Sequence, residues 1–289
     1  MHPRKDRHVM EALGKTRVVV EDGKVVEVGE PKTDYCPIFA KVRNITQFTP
    51  ESVKGNIEFR IEDFGMFTAR REIEMEIFVG FGASETFMTA LHRGLLDACV
   101  TACEGAGTVV TSSPTLAQGI GSRISGLVET SPIPELISRI EKAGGTVLDP
   151  ETAALDQVAG VEKAIDMGHK RIGVSVISAS DVRKMRQLEK EHGVEIVTFG
   201  VHVTGMGHEE AKELIGLVDI TTGCSSGSIR EHIKGHVLAQ FGTAIPIFAI
   251  TQRGKEMLLE RAKEVTDPVL INTMKLPVLP EDKQPRPLI

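Results

Sequence analysis

The stretch LLDACVTACEGAGTVV, residues 95–110, decides how this chain is read. It carries Cys99 and Cys103, two of the four cysteines among 289 residues. On a helix, residues four apart lie one above the other, and the two thiols would face one ligand together. On a strand they share a face but stand about 13 Å apart at ~3.3 Å per residue. That separation is too wide for one metal bound through thiolates at about 2.3 Å. Val100, Thr101, Val109 and Val110 are β-branched and favour the strand. The expectation is therefore a strand over 98–103, with Cys99 a buried small hydrophobe. Cys103 then closes the strand and opens the glycine-rich turn EGAGT.

The same pattern continues outward. Short apolar runs recur at IFVGFG (77–82), GTVL (145–148), RIGVSVI (171–177), EIVTFGV (195–201), VDITTG (218–223) and IPIFAI (245–250). Between them stand the helix-period segments IPELISRIEKAGG, DQVAGVEKAIDMGHK, SDVRKMRQLEKEHG, HEEAKELIG and GKEMLLERAKE. Several end in the glycine that accepts the left-handed conformation after a helix. Asp181, after Ser180, stands where an N-cap is expected. Runs without alternation suit strands buried on both faces, and strand–helix–strand order gives right-handed parallel crossovers. The fold class expected is α/β, a mainly parallel sheet with helices on both faces.

Ahead of that sheet, TRVVVEDGKVVEVGE sets Asp22-Gly23 between two β-branched runs, a strong hairpin signal. The chain thus divides into a β-rich region over 1–76, a wound α/β region over 77–265 in one sheet or two lobes, and a proline-rich arm over 266–289. The arm is expected to lie on the body, on a second copy in a homo-oligomer or on a protein partner. A faint internal echo links Leu96–Gly105 with Leu217–Ser226, each running through Asp and Thr into a cysteine and small residues.

Composition narrows the function. Apolar residues make up 41% and charged residues 26%, the balance of an ordinary globular protein. A net charge of −6, no Trp and a single Tyr argue against nucleic acid, which asks for positive surface and stacking rings. The start, MHPRKDRHVMEALGKTR, lacks the apolar core of a signal peptide, and no run approaches the roughly 18 apolar residues of a membrane span. A cytoplasmic protein with no membrane contact is expected. In that reducing setting, cysteines that are not core filling point to metal or catalysis.

Three cysteines stand at loop positions: Cys36 beside Pro37, Cys103 at a strand end, and Cys224 between VDITTG and SSGS. Ligands of wound sheets sit beyond the carboxyl ends of the strands, so these thiols could converge on an iron–sulfur cluster or another soft metal. Gly105 and Gly107 of EGAGT, with Gly119 and Gly121 of QGIGS, read as loops bringing backbone close to a bound group. Gly80 and Gly82 of VGFGASE could cradle a phosphate, although Glu85 stands where the dinucleotide fingerprint needs its third glycine. His232 and His236, four apart in REHIKGH, offer a rival zinc set with Cys224. His202 in FGVHVTG can serve as acid or base, giving a second reading in which Cys224 or Cys103 is a nucleophile. Asp149, Glu151 and Asp156 read first as a turn and the acids preceding a helix.

Several of these stretches together resemble one family. EALGKTRVVVEDGKVVEVGEPKTDYCPIF, FVGFGASETFMTAL, CEGAGTVVT, GIGSRISGL, PIPELI, GGTVLDPETA and FGVHVTG look like methanogenesis marker protein 8 of methane-producing archaea, over nearly the whole chain to about residue 260. The resemblance implies a cytoplasmic role tied to methanogenesis and supplies no reaction or catalytic residue. Joined to the cysteines, it gives the expectation of an accessory protein that binds a metal centre or cluster through Cys36, Cys103 and Cys224. Such a protein would help assemble or activate methyl-coenzyme M reductase or a related enzyme. A small-molecule enzyme and a non-catalytic binding subunit are the alternatives.

Overall fold

The computed structural model describes residues 6–77 and 79–289. Its first part holds β1 (Arg7–Glu11), β2 (Arg17–Glu21) and β3 (Lys24–Val28), followed by α1 (Pro37–Arg43) and α2 (Pro50–Phe64). The Asp22-Gly23 turn joins β2 to β3 as the sequence predicts, with both turn residues at positive φ. α2 starts on a capping box in which the Thr49 hydroxyl accepts the Ser52 N–H and the Ser52 hydroxyl accepts the Thr49 N–H. Gly65, at φ +73°, ends it.

The rest runs as α3 (Ala83–His92), β4 (Ala98–Cys103), β5 (Gly107–Thr111), α4 (Pro114–Gly121), β6 (Gly126–Thr130), α5 (Pro134–Lys142) and β7 (Gly145–Val147). It continues with α6 (Gln157–Asp166), β8 (Arg171–Val176), α7 (Ala179–His192), β9 (Glu195–Gly200), α8 (His208–Leu217) and β10 (Ile220–Thr222). Last come α9 (Gly227–His232), β11 (Ala239–Phe241), β12 (Ile247–Ala249) and α10 (Gln252–Ala262). Ser178 rather than Asp181 caps α7, its hydroxyl accepting the Asp181 N–H at 3.2 Å.

Eight strands form one sheet in the order β11-β12-β10-β9-β8-β4-β5-β7. Parallel pairing is confined to its centre, β4 with β8, β8 with β9 and β9 with β10. The flanks are antiparallel, β5 and β7 on one side and β12 and β11 on the other. The expected mainly parallel sheet is corrected here: GTVVT turns straight back from β4 as a hairpin instead of leading into a crossover. Helices do cover both faces. Alternate residues such as Val100, Val174 and Ile196 pack with α6, α7 and α8, while Cys99, Val197 and Phe199 pack with α3 and α10.

The second sheet has the order β3-β2-β1-β6 and is antiparallel throughout. Because β6 lies beyond residue 76, the β-rich start of the chain is completed by a strand from the wound region. Its apolar face, with Met10, Val18 and Val20, packs on Ile57 and Phe64 of α2. In the run 77–82, Phe78 lies outside the described residues, and the others form no strand. The 266–289 arm lies on the body: Asp34 and Tyr35 donate their N–H groups to the Arg286 carbonyl, and Ile289 bonds to Ser225 and Gly227.

Candidate functional site

Beyond the carboxyl ends of the parallel strands, a cleft of about 890 Å³ opens beneath β1, α1 and α2. Its sheet side is lined by Thr101 and Ala102 of β4, Ser175 and Ile177 at the end of β8, Val201 and His202 after β9, and Thr222 and Cys224 at the end of β10. The opposite wall brings Glu11, Lys15, Cys36, Phe39 and Phe48, with Asn56, Phe59 and Arg60 from α2. This is where an open α/β sheet takes its ligands, since the loops leaving parallel strands diverge there.

Cys224 sits at a sharp corner. β10 passes through Gly223 into Cys224, whose φ of +39° is left-handed and uncommon for a residue with a side chain. Ser226 then caps α9 by accepting the Ile229 N–H at 3.2 Å. A strand-to-helix turn of this kind lifts its side chain off the sheet, the device that presents nucleophiles in other α/β proteins. Cys224 is half-buried while Cys36, Cys99 and Cys103 are buried, and the Thr222 hydroxyl lies 3.0 Å from its sulfur.

Arg230 underlies the thiols. Its guanidinium donates to Gln284 Oε1 at 2.9 Å, the Gly223 carbonyl at 2.6 Å and the Ala244 carbonyl at 3.1 Å, all neutral acceptors. Burial lowers its pKa to about 10, opposed by Cys224 and Cys36, which lie close enough to sense its charge. Cys36 is pushed above the ordinary thiol value by burial. The N–H groups of Phe39 and Ile38 pull it back, Cys224 pushes it up, and Arg230 pulls it down.

His202 lines the same cleft from the neighbouring strand end. It too is left-handed, at φ +56°, and its Nε2 lies 2.6 Å from Glu11 Oε2. Lys15 Nζ stands 3.9 Å from the same carboxylate and donates to the Thr204 carbonyl at 2.8 Å. Gly126 leaves room for the imidazole, because any Cβ there would strike it. Lys15 and Arg123, also on the cleft, are left-handed as well. Strained backbone gathered round one cavity is the pattern of a positioned site.

Of the three thiols expected to share a metal, two line the cleft. Cys36 and Cys224 border the cleft, but Cys103 is fully buried among Val109, Leu116, Leu136 and Ile140. The physical reason is the β4–β5 hairpin, which folds the end of β4 under α4 and α5. Burial pushes the Cys103 thiol far up, with Glu104 adding to the effect. A cluster or metal ligated by all three cysteines does not fit this donor set.

The glycines are corrected likewise. Gly105 and Gly107, at φ +79° and +74°, make a hairpin turn pressed on Ile133 and on the Ala153 carbonyl. QGIGS is the end of α4 rather than a loop: Gly119 meets the Ile73 carbonyl, and of the four glycines Gly121 lines the cleft. Gly82 precedes α3 in an extended conformation. Asp149 caps its own turn by accepting the N–H groups of Glu151 and Thr152, and Asp156 caps α6. His232 approaches His208, with nitrogens 3.0 Å apart, rather than His236. With Glu231 the two histidines form a surface cluster away from Cys224.

The cleft also holds residues that the sequence reading passed over, namely Glu11, Asn56 and Arg60. A signal for the last two was present. Val53, Asn56, Ile57, Arg60 and Phe64 form the buried face of α2, so an amide and a guanidinium interrupt an apolar stripe.

Residues 8–263 match the family described as "Uncharacterized protein conserved in archaea (DUF2099)". The chain belongs to that family. This DUF2099 protein is 53% identical over 285 residues to "Uncharacterized protein MJ0054" of Methanocaldococcus jannaschii, covering 98% of this chain and all of the relative. A chain of "Xenon derivatization of the F420-reducing [NiFe] hydrogenase complex from Methanosarcina barkeri" aligns over 68% of the DUF2099 protein and 75% of itself. With 15% identity and a TM-score of 0.34, that likeness does not bear on the fold. Among the described residues, no helix is long and apolar enough to cross a membrane.

Proposed function

We propose that this DUF2099 protein is an enzyme acting on a small molecule in the cleft, with Cys224 as nucleophile and His202, oriented by Glu11, as proton carrier. The observation that carries the reading is the half-buried Cys224 thiol at a left-handed strand-to-helix turn opening on the cleft. The thiol proton passes to the His202 imidazole while sulfur forms a bond to an electrophilic carbon of the substrate. The imidazolium then returns the proton to the leaving group as its bond breaks, and water, deprotonated by His202, displaces the sulfur from the bound group and restores the thiol. Arg230, which has no carboxylate partner among the described residues, would hold the thiolate while it exists.

We place this activity in methanogenesis. The resemblance to methanogenesis marker protein 8 and the methanogen relative support that assignment. The separation of Cys103 from the cleft favours the enzyme over a three-cysteine metal carrier. The test is to incubate anaerobically purified protein with a small-molecule extract of a methanogen and follow intact mass. An adduct at Cys224 that is absent from Cys224→Ala is expected. No adduct from any fraction, with a thiol that also resists iodoacetamide, would remove Cys224 as nucleophile.

A further inference from the structure

We infer that the cleft recognises an organic anion at two points one helical turn apart on α2: an anionic group at Arg60, and at Asn56 a group that both donates and accepts hydrogen bonds. This rests on the cleft being the substrate site and names the class of molecule it takes.

Asn56 is 5% exposed, lines the cleft, and has its Oδ1 out of water with no hydrogen-bond partner. Its side-chain amide makes no hydrogen bond to a described residue. A buried amide left unpaired is costly and marks a place where a partner is to arrive. Because no described residue bonds either terminal atom of the amide, the inference does not depend on which of them is oxygen. The partner must itself carry a donor and an acceptor, as an amide or hydroxyl does.

Arg60, four residues on, is 6% exposed and lines the same cleft. Its Nη1 donates to the Arg123 carbonyl at 3.0 Å and to Ser125 Oγ at 3.2 Å, both neutral. No carboxylate of a described residue forms an ion pair with it. Glu104, whose charge reaches it, is already bound to Arg71. Arg123 and Arg43 add positive charge nearby. Arg123 is tied to Asp63 at 2.6 Å, and Arg43 lies over the Phe59 ring at 3.4 Å. Burial, then Arg123 and Arg43 against Glu104, lowers the Arg60 pKa to about 10, the mark of a charge short of a counterion. A buried cation is tolerated when an anion completes it, and the guanidinium fork suits carboxylate or phosphate. Phe39 and Phe48 on the same wall suit an apolar portion of the ligand.

Titration calorimetry of the full chain with inorganic phosphate, and separately with N-acetylglycine, tests this. N-acetylglycine carries a carboxylate beside an amide and can engage both points, whereas phosphate engages Arg60 alone. Binding of either is expected, and the tighter probe tells a phosphate ligand from a carboxylate one. Arg60→Gln should weaken both at least about tenfold, while Asn56→Ala weakens N-acetylglycine and spares phosphate. Without ligand, Arg60→Gln should melt no lower than wild type, since it removes an uncompensated charge; a purely structural arginine would give a clear drop. The idea is overturned if neither probe binds wild type, or if both bind Arg60→Gln and Asn56→Ala as they bind wild type. Cys224→Ser should keep both affinities. Binding retained with no adduct at Cys224 sinks the catalytic reading alone, and an adduct with undiminished affinity in Arg60→Gln sinks the anion site alone.

Discussion

Two turns of this molecule start alike and end in opposite situations. Cys103-Glu104-Gly105-Ala106-Gly107 runs from the last residue of β4 to the first of β5, and Gly223-Cys224-Ser225-Ser226-Gly227 runs from β10 to the first residue of α9. The first returns antiparallel into β5 and is locked beneath α5: Ile133 N–H donates to the Gly105 carbonyl at 2.8 Å, and Gly105 N–H to Thr130 Oγ1 at 2.7 Å. The second runs on into a helix and keeps its thiol at the cleft. Each has a buried arginine behind it. Arg71 has the Glu104 carboxylate, and both side chains are wholly buried, whereas Arg230 has neutral acceptors and two thiols. A cysteine after a strand is thus left open or sealed by what the next residues do. A turn that satisfies its own charge becomes core, and one that leaves a cation uncompensated keeps the means to stabilise an anion.

The sharpest way to break the comparison is at the sealed turn. Glu104→Ala leaves Arg71 buried without its counter-charge and should destabilise by about 3–5 kcal/mol, read by chemical denaturation. If it costs no more than a surface substitution, the ion pair does not hold the turn. Glycine comes next. Gly107, at φ +74°, has the Ala153 carbonyl where a Cβ would go, so Gly107→Ala should cost about 1–3 kcal/mol. Its counterpart Gly227 has its nearest neighbours at 3.9 Å, and Gly227→Ala should stay within about 0.5 kcal/mol. Equal losses at both positions would erase the distinction between the turns.

What could be read from sequence follows the same line. The strand over 98–103, the hairpin at Asp22-Gly23 and the helices α5 to α8 and α10 were legible because local pattern decides them. The direction of β5 was not. Val109 and Val110 announce a strand, but whether it returns beside β4 or crosses over depends on Gly105 and Gly107 taking positive φ, which composition cannot state. Cys103 and Cys224 therefore looked equivalent. Asn56 and Arg60 were readable in principle, as polar breaks in the stripe of Val53, Ile57 and Phe64, yet their burial depends on sheet residues far away in sequence. Glu11 became a partner of His202 only through the pairing of β1 with β6 and the approach of that sheet to the end of β9.

The sealed turn also carries an acid sensitivity that is smaller because two groups oppose each other. Thr130 Oγ1, which accepts the Gly105 N–H, lies 2.6 Å from His8 Nδ1, and His8 Nε2 lies 2.7 Å from Asp6 Oδ1. Burial lowers the His8 pKa from 6.5 to about 4, against the pull of Glu104 and Glu129. Burial, with Asp22, raises Asp6 from 3.8 to about 6. His8 is neutral when folded, so its share of stability is complete above 6.5 and is lost as pH falls toward 4. Asp6 works the other way: its share is complete below 3.8 and is lost as pH rises through about 6. Wild-type stability should be nearly level from about 4 to 6, and Asp6→Asn should expose the His8 slope, losing stability as the solution is acidified. Parallel curves for the two proteins in urea titrations at pH 4, 5, 6 and 7 would show that the pair is not linked to folding.

The thiols give the smallest effect on stability and the clearest on reactivity. Cys224→Ser keeps a polar atom at a half-buried corner beside the Thr222 hydroxyl, so stability should move by no more than about 0.5 kcal/mol. Cys103→Ser puts a hydroxyl among Val109, Leu116 and Ile140, and costs about 1–3 kcal/mol if it finds no partner. Reactivity should run the opposite way. Burial holds Cys99 at about 12 and Cys103 far above its ordinary value, so neither offers thiolate at neutral pH. Iodoacetamide on the native protein should therefore mark Cys224 first and Cys36 more slowly, and reach Cys99 and Cys103 after unfolding alone. Mass spectrometry of timed digests reads all four sites in one experiment. Labelling of Cys103 at the rate of Cys224 would mean that the hairpin opens as readily as the cleft, and the contrast between the two turns would fall.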